Sequence, residues 1–220
     1  MKVTPLMLAS AVAIATMAVF AFVTAARLPA DAVLPIHWDA SGTPDRFADA
    51  LSALLLPVVL GVATTLIFSV IPRLEPLQDG LRGSAPLLRA SWGGLMLLFV
   101  TVQITMGLPA YGVPVPVNAI LLAVGIFLIV FGNALPKSRP GFFVGIRTPW
   151  AIMDEDNWIA THRFGGKLMM GAGLVIVIAS LAPIQPETTA IIVLAAVFAG
   201  SLIPVGYSWW LWQNGKGLTE

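Results

Sequence analysis

Two short stretches hold most of the side chains able to do chemistry. Between Gly141 and Lys167, Arg147, the acidic run Asp154, Glu155 and Asp156, then His162, Arg163 and Lys167 are interleaved with Trp150 and Trp158. Between Leu34 and Phe47, His37, Asp39, Asp45 and Arg46 stand close together. A carboxylate beside an imidazole can move protons, so Asp154, Glu155 and His162 allow one reading as a membrane enzyme acting on lipid or peptide. Acidic residues in the first turn of a helix explain the same triplet without chemistry, and no catalytic residue is assigned. No HExxH, GxSxG or phosphate-cradling GxxxxGK(S/T) string occurs.

The elements that carry these stretches are greasy. Of 220 residues, 58% are apolar and only 10% charged, against roughly 25% charged in soluble domains. Twelve Lys and Arg balance eleven Asp and Glu, so there is no basic excess to hold a nucleic acid. The absence of cysteine excludes disulfides, thiolate catalysis and Cys-based metal sites.

A bilayer core about 30 Å thick takes roughly 20 apolar residues in helical form, because every backbone polar group must be satisfied within the segment. Six runs meet this: 5–26, 51–71, 90–109, 117–135, 168–182 extended backwards through Gly165 and Gly166, and 188–212. Thr4 and Pro5 suit the N-cap and first position of the first helix. Its apolar core is longer than a signal-peptide h-region, so it is expected to be retained. Pro57 and Pro204 fall inside helices and are expected to kink them.

With a cytoplasmic N-terminus, Lys2, Arg73, Arg82, Arg89, Lys137, Arg139, Arg147, Arg163, Lys167 and Lys216 lie inside, and only Arg27 and Arg46 outside. That asymmetry follows the positive-inside rule and places both termini in the cytoplasm. Trp92, Trp209, Trp210 and Trp212 would then serve as anchors at the inner boundary. His37 and His162 face opposite sides, cannot share a metal ion, and no metal site is expected.

The outer loop, 27–50, reads as an extended piece with alternating Leu34, Ile36 and Trp38, followed by turns at 39–42 and 43–45. His37 and Asp39 would share a side, bonding each other or the turn. In the inner loop, 136–167, Pro149 forces extended geometry before it. A short amphipathic helix over 154–164 would then lie flat on the inner surface, its face formed by Glu155, Trp158, Ile159 and His162, with Gly165 and Gly166 as its stop or a bend. Its charges either pair among themselves, Arg147 with an acidic side chain, or dock a partner. The expected fold is an all-α membrane bundle of six transmembrane helices, with an N-terminal two-helix segment, 1–72, and a C-terminal four-helix segment, 73–220.

The string GIRTPW at 145–150, the acidic segment, Trp158 and THRFGGK at 161–167 resemble the C-terminal signature of the SdpI family of bacterial membrane proteins. The string LPIHWDASGTPDRF at 34–47 is similar to the motif of the DUF1648-like N-terminal domain often found with it. The resemblance implies an immunity and signalling protein of the bacterial cell membrane. Its founding member protects against a secreted peptide toxin and reports the toxin to a transcriptional repressor. On that basis His37, Asp39, Asp45 and Arg46 would meet a secreted peptide outside. Arg147, Trp158, His162, Arg163 and Lys167 would meet a cytoplasmic repressor or anionic lipid inside. No cofactor and no direct nucleic-acid contact are implied. A small-solute transporter is the alternative. It would need a polar path at mid-membrane, for which only Gln103, Asn118, Thr64, Thr65, Thr101 and Thr105 are available, and no inverted repeat is evident.

Overall fold

The computed structural model describes residues 4–215; Lys2 and Lys216, used above for orientation, lie outside the described residues. Among the described residues, six helices are long and apolar enough to cross a membrane. Helix α1 (Pro5–Ala25) leads into a hairpin of β1 (Val33–Trp38) and β2 (Pro44–Asp49). Next come α2 (Ala50–Leu74), the short α3 (Gln78–Gly83), α4 (Ala85–Gly107) and α5 (Asn118–Ala134). The chain closes with the short α6 (Pro149–Met153), then α7 (Glu155–Leu181) and α8 (Pro186–Gly215).

Helix starts follow local chemistry. Thr4 accepts from the Met7 amide at 3.2 Å with Pro5 behind it, and Asp49 accepts from the Ser52 amide at 2.9 Å. Asp154 accepts from the amides of Asp156 and Asn157, so the acidic run is a cap and first turn.

Helices α1, α2 and α4 pack as one group and α5, α7 and α8 as another, with α4 against α5 joining them. In the first group the buried Gln103 amide donates to the carbonyls of Met17, at 3.0 Å, and Leu54, at 2.9 Å, tying α4 to both neighbours. In the second, α5 and α7 touch backbone to backbone. A Cβ on Gly125 would stand 2.8 Å from the Gly173 carbonyl oxygen, and one on Gly132 would stand 2.7 Å from that of Gly166. Small residues at such a seam let antiparallel helices approach closely, the means by which membrane helices associate where apolar burial gives no advantage over lipid.

Three expectations change. First, residues 154–164 are not a separate short helix. Helix α7 runs unbroken through them for 27 residues. Gly165 and Gly166 serve contact rather than termination, Gly165 against Ile146 and Pro204 and Gly166 against α5. Second, the outer loop is an antiparallel hairpin with irregular register, pairing Val33 with Asp49 and His37 with Arg46. Third, Trp92 is no boundary anchor, because it is buried and packed on Phe68 of α2. Trp209 and Trp210 are exposed on α8.

Candidate functional site

The two polar stretches sit at opposite ends of the bundle. The hairpin lies at the end of α1 and start of α2. The 138–154 loop lies where α2, α5 and α8 end and α7 begins.

Hydrogen bonds within the hairpin set its form. Asp39 accepts from the Ser41 hydroxyl at 2.6 Å, the Ser41 amide at 2.9 Å and the Thr43 amide at 3.0 Å. The Ser41 hydroxyl, then the Thr43 amide, hold its carboxyl below the usual carboxylate range. Gly42 takes φ 76° in this turn, a conformation that favours glycine. His37 bonds not Asp39 but Asp45, Nδ1 to Oδ1 at 2.5 Å. His37, Asp39, Asp45 and Arg46 are all exposed, so the hairpin offers a charged surface on a rigid turn. Thr24 and Tyr111, 3.0 Å apart, and Arg27 over the Tyr111 ring brace its base.

At the other end the loop is held from three directions. From α7, His162 stacks on Trp158 with centroids 4.0 Å apart. Its Nε2 accepts from the Ile146 amide at 2.8 Å, so Nδ1 carries the proton and donates to the Trp158 carbonyl at 2.7 Å. This arrangement uses a neutral ring, since an imidazolium has no acceptor left for Ile146. The Trp158 indole donates to Ser138 Oγ at 3.2 Å. Gly145, at φ 119°, lies over this pair, and a Cβ there would stand 2.6 Å from His162 Nε2.

The second hold comes from α8. Asn157 donates to the Ser208 carbonyl and accepts from the Ser208 hydroxyl, while Thr161 donates to Asn157 Oδ1. Ser208 also reaches Thr148 at 2.8 Å, the residue whose hydroxyl caps α6. All four are buried, and their mutual bonds satisfy polar groups that would otherwise be costly there.

The third hold comes from the N-terminal half. Glu75, 3% exposed, follows α2 directly and accepts from the amides of Leu77, Phe142 and Phe143 at 3.0–3.2 Å. Helix α2 thus links the hairpin, through Asp49, to the loop, through Glu75.

Of the residues singled out in this loop, Trp158 and His162 are 0% and 1% exposed. They hold the loop in place and cannot themselves form a docking surface. Arg147, Arg163 and Lys167 are exposed. Arg147 donates to the Phe142 carbonyl within the loop. The ion pair with an acidic residue is made by Arg139, to Glu155 at 3.9 Å, and on a surface it contributes little. Glu75, Ser138, Thr148, Asn157 and Ser208 were not singled out. Their partners lie far away in sequence, and only the small, helix-weak side chains at 157 and 208 within apolar or helical runs hinted at them.

Such a fold and such a loop define a multi-pass membrane protein with polar structures fastened to both ends of a six-helix bundle. The profile of the SdpI/YfhL protein family matches residues 137–208, the span from the loop through Ser208. The profile of a domain of unknown function, DUF1648, matches residues 12–61, around the hairpin. "Immunity protein SdpI" of Bacillus subtilis (strain 168) is 30% identical over 148 residues, 67% of this chain and 69% of that protein. The chain belongs to the SdpI family. No solved structure matches it.

Proposed function

We propose that this chain is an immunity protein that protects the bacterial membrane against a secreted membrane-active peptide and passes word of the attack to the cytoplasm. The observation that carries this is the similarity to the Bacillus subtilis immunity protein across two thirds of both chains. In this reading the hairpin faces outside, as the lysine and arginine distribution argues, and His37, Asp39, Asp45 and Arg46 meet the peptide. The opposite loop, with Arg147 on its exposed side, meets a soluble regulator together with Arg163 and Lys167, exposed on α7.

Helix α2 supplies the connection. A peptide that binds the hairpin differently in two positions of α2 biases which position is populated. Movement of Glu75 away from the amides of Phe142 and Phe143 would then free the loop that presents Arg147. Transport fares less well, because Gln103 is consumed in tying helices, and Thr101 and Thr105 bond carbonyls of their own helix.

Expression in a sensitive bacterium, followed by challenge with a panel of secreted membrane-active peptides, tests the proposal. Survival should rise against at least one of them, and Arg147→Ala, on the exposed side, should lower signalling while the protein remains in the membrane. Unchanged killing by the whole panel refutes the immunity reading.

A further inference from the structure

A cavity of about 690 Å³ opens at the same end of the bundle as the latched loop, among α1, α2 and α4. Its walls are apolar, with Met7, Phe68, Leu88 and Trp92 among them, and Arg73 and Arg89 also line it. Its size falls in the ordinary range for small-molecule sites.

Three independent features give it chemical character. Arg73 and Arg89 are exposed, and neither is hydrogen-bonded or ion-paired among the described residues. No acidic residue is among those lining the cavity. The first turns of both α1 and α4 contribute to the lining, through Pro5 and Ala85, so two helix N-termini add partial positive charge to that of the guanidinium groups. Finally, Trp92 is 95% buried, and its indole N–H has no hydrogen-bond partner among the described residues. Buried polar groups seldom stay unpaired.

We propose that this cavity is a binding site for one anionic phospholipid, its acyl chain against Phe68 and Leu88, an ester carbonyl accepting from the Trp92 indole N–H, and its phosphate between Arg73 and Arg89. A phospholipid fits better than a soluble anion because the walls are mostly apolar. It is better matched in charge than a zwitterionic lipid because the site offers only positive charge. Basic pockets between membrane helices bind lipid headgroups by this combination. The site is separate from the surface bearing Arg147, and its occupancy does not depend on the immunity reading.

The test uses the full chain in nanodiscs of phosphatidylcholine with increasing fractions of phosphatidylglycerol brominated on its acyl chains, which quenches nearby tryptophan. Phosphatidylglycerol should quench a fluorescence component that Trp92→Phe removes. The double variant R73Q/R89Q should require about tenfold more of the lipid for the same quenching. Because both arginines are exposed and have no partner among the described residues, this variant is expected to fold, and native mass spectrometry should count one retained phosphatidylglycerol fewer in it. Equal quenching of Trp92 by brominated phosphatidylcholine, or no effect of R73Q/R89Q, overturns the proposal. Stronger quenching by a brominated fatty acid than by phosphatidylglycerol at equal fraction overturns it in favour of a free fatty acid.

Discussion

Replacing Glu75 by glutamine should loosen the 138–148 loop without unfolding the bundle. Both carboxylate oxygens of Glu75 are in use: Oε1 accepts from Leu77 and Phe142, and Oε2 from Phe142 and Phe143. Glutamine keeps the shape but turns one acceptor into a donor facing backbone N–H groups, and it removes the charge assistance. Hydrogen bonds to a charged group each contribute roughly 1.5–3 kcal/mol, and an amide left unpaired in a buried place costs about 1–3 kcal/mol. Some of these losses are recovered by water at the loop's exposed side. A net cost of about 1.5–3 kcal/mol remains, which corresponds to roughly a 10- to 100-fold larger population of the opened loop. The chain has no cysteine, so a single Val144→Cys serves as a reporter, Val144 being buried against Leu87 and Leu135. Its modification by maleimide in detergent micelles should be slow, and should accelerate by that factor when Glu75→Gln is added. A rate within twofold of the parent, with the helical circular dichroism unchanged, would show that Glu75 does not fasten the loop and would remove the link through α2.

Three further outcomes are expected. Gly145→Ala forces a Cβ into a position 2.6 Å from His162 Nε2 and 2.8 Å from Trp158 and occupies a positive φ, so thermal stability in detergent should fall by roughly 2–4 kcal/mol. Gly132→Ala, whose Cβ meets the Gly166 carbonyl at 2.7 Å, should lower the melting temperature, whereas Gly171→Ala, with nothing within 4 Å, should leave it unchanged or slightly higher; equal effects would deny the seam its role. Because the folded pKa of Asp39 is depressed, its contribution to the turn is present above the ordinary carboxylate value near 3.9 and is lost as pH falls through the lower folded value. The Ser41 and Thr43 amide resonances should therefore move in that acid window, and Asp39→Asn should abolish the transition.

Six helices were legible because an apolar run of sufficient length has few alternatives in a bilayer, and Thr4 with Pro5 marked the first start correctly. The hairpin was half legible. Val33–Trp38 alternates, but Pro44–Asp49 carries Asp45, Arg46 and Asp49 and reads as turn and cap, so its pairing came only from proximity in space. Gly165 and Gly166 misled, because paired glycines are read locally as a helix end, whereas their use here is set by α5 and α8. Trp158 and His162 at i and i+4 were seen to share a face. Which way that face turned depended on Gly145 folding over it, a contact between two separated segments. Glu75, between Leu74 and Pro76, looked like any loop charge.

The glycine pairs of α5 and α7 impose a rule on motion. Gly125 with Gly173 and Gly132 with Gly166 stand at matching intervals on helices running in opposite directions, so among these four glycines the next offset that again sets one against another is seven residues away, about 10 Å along the axis. Any shorter slip drives a side chain into a neighbouring carbonyl. Sliding is therefore barred on that side of the molecule, leaving those two rods as a fixed keel.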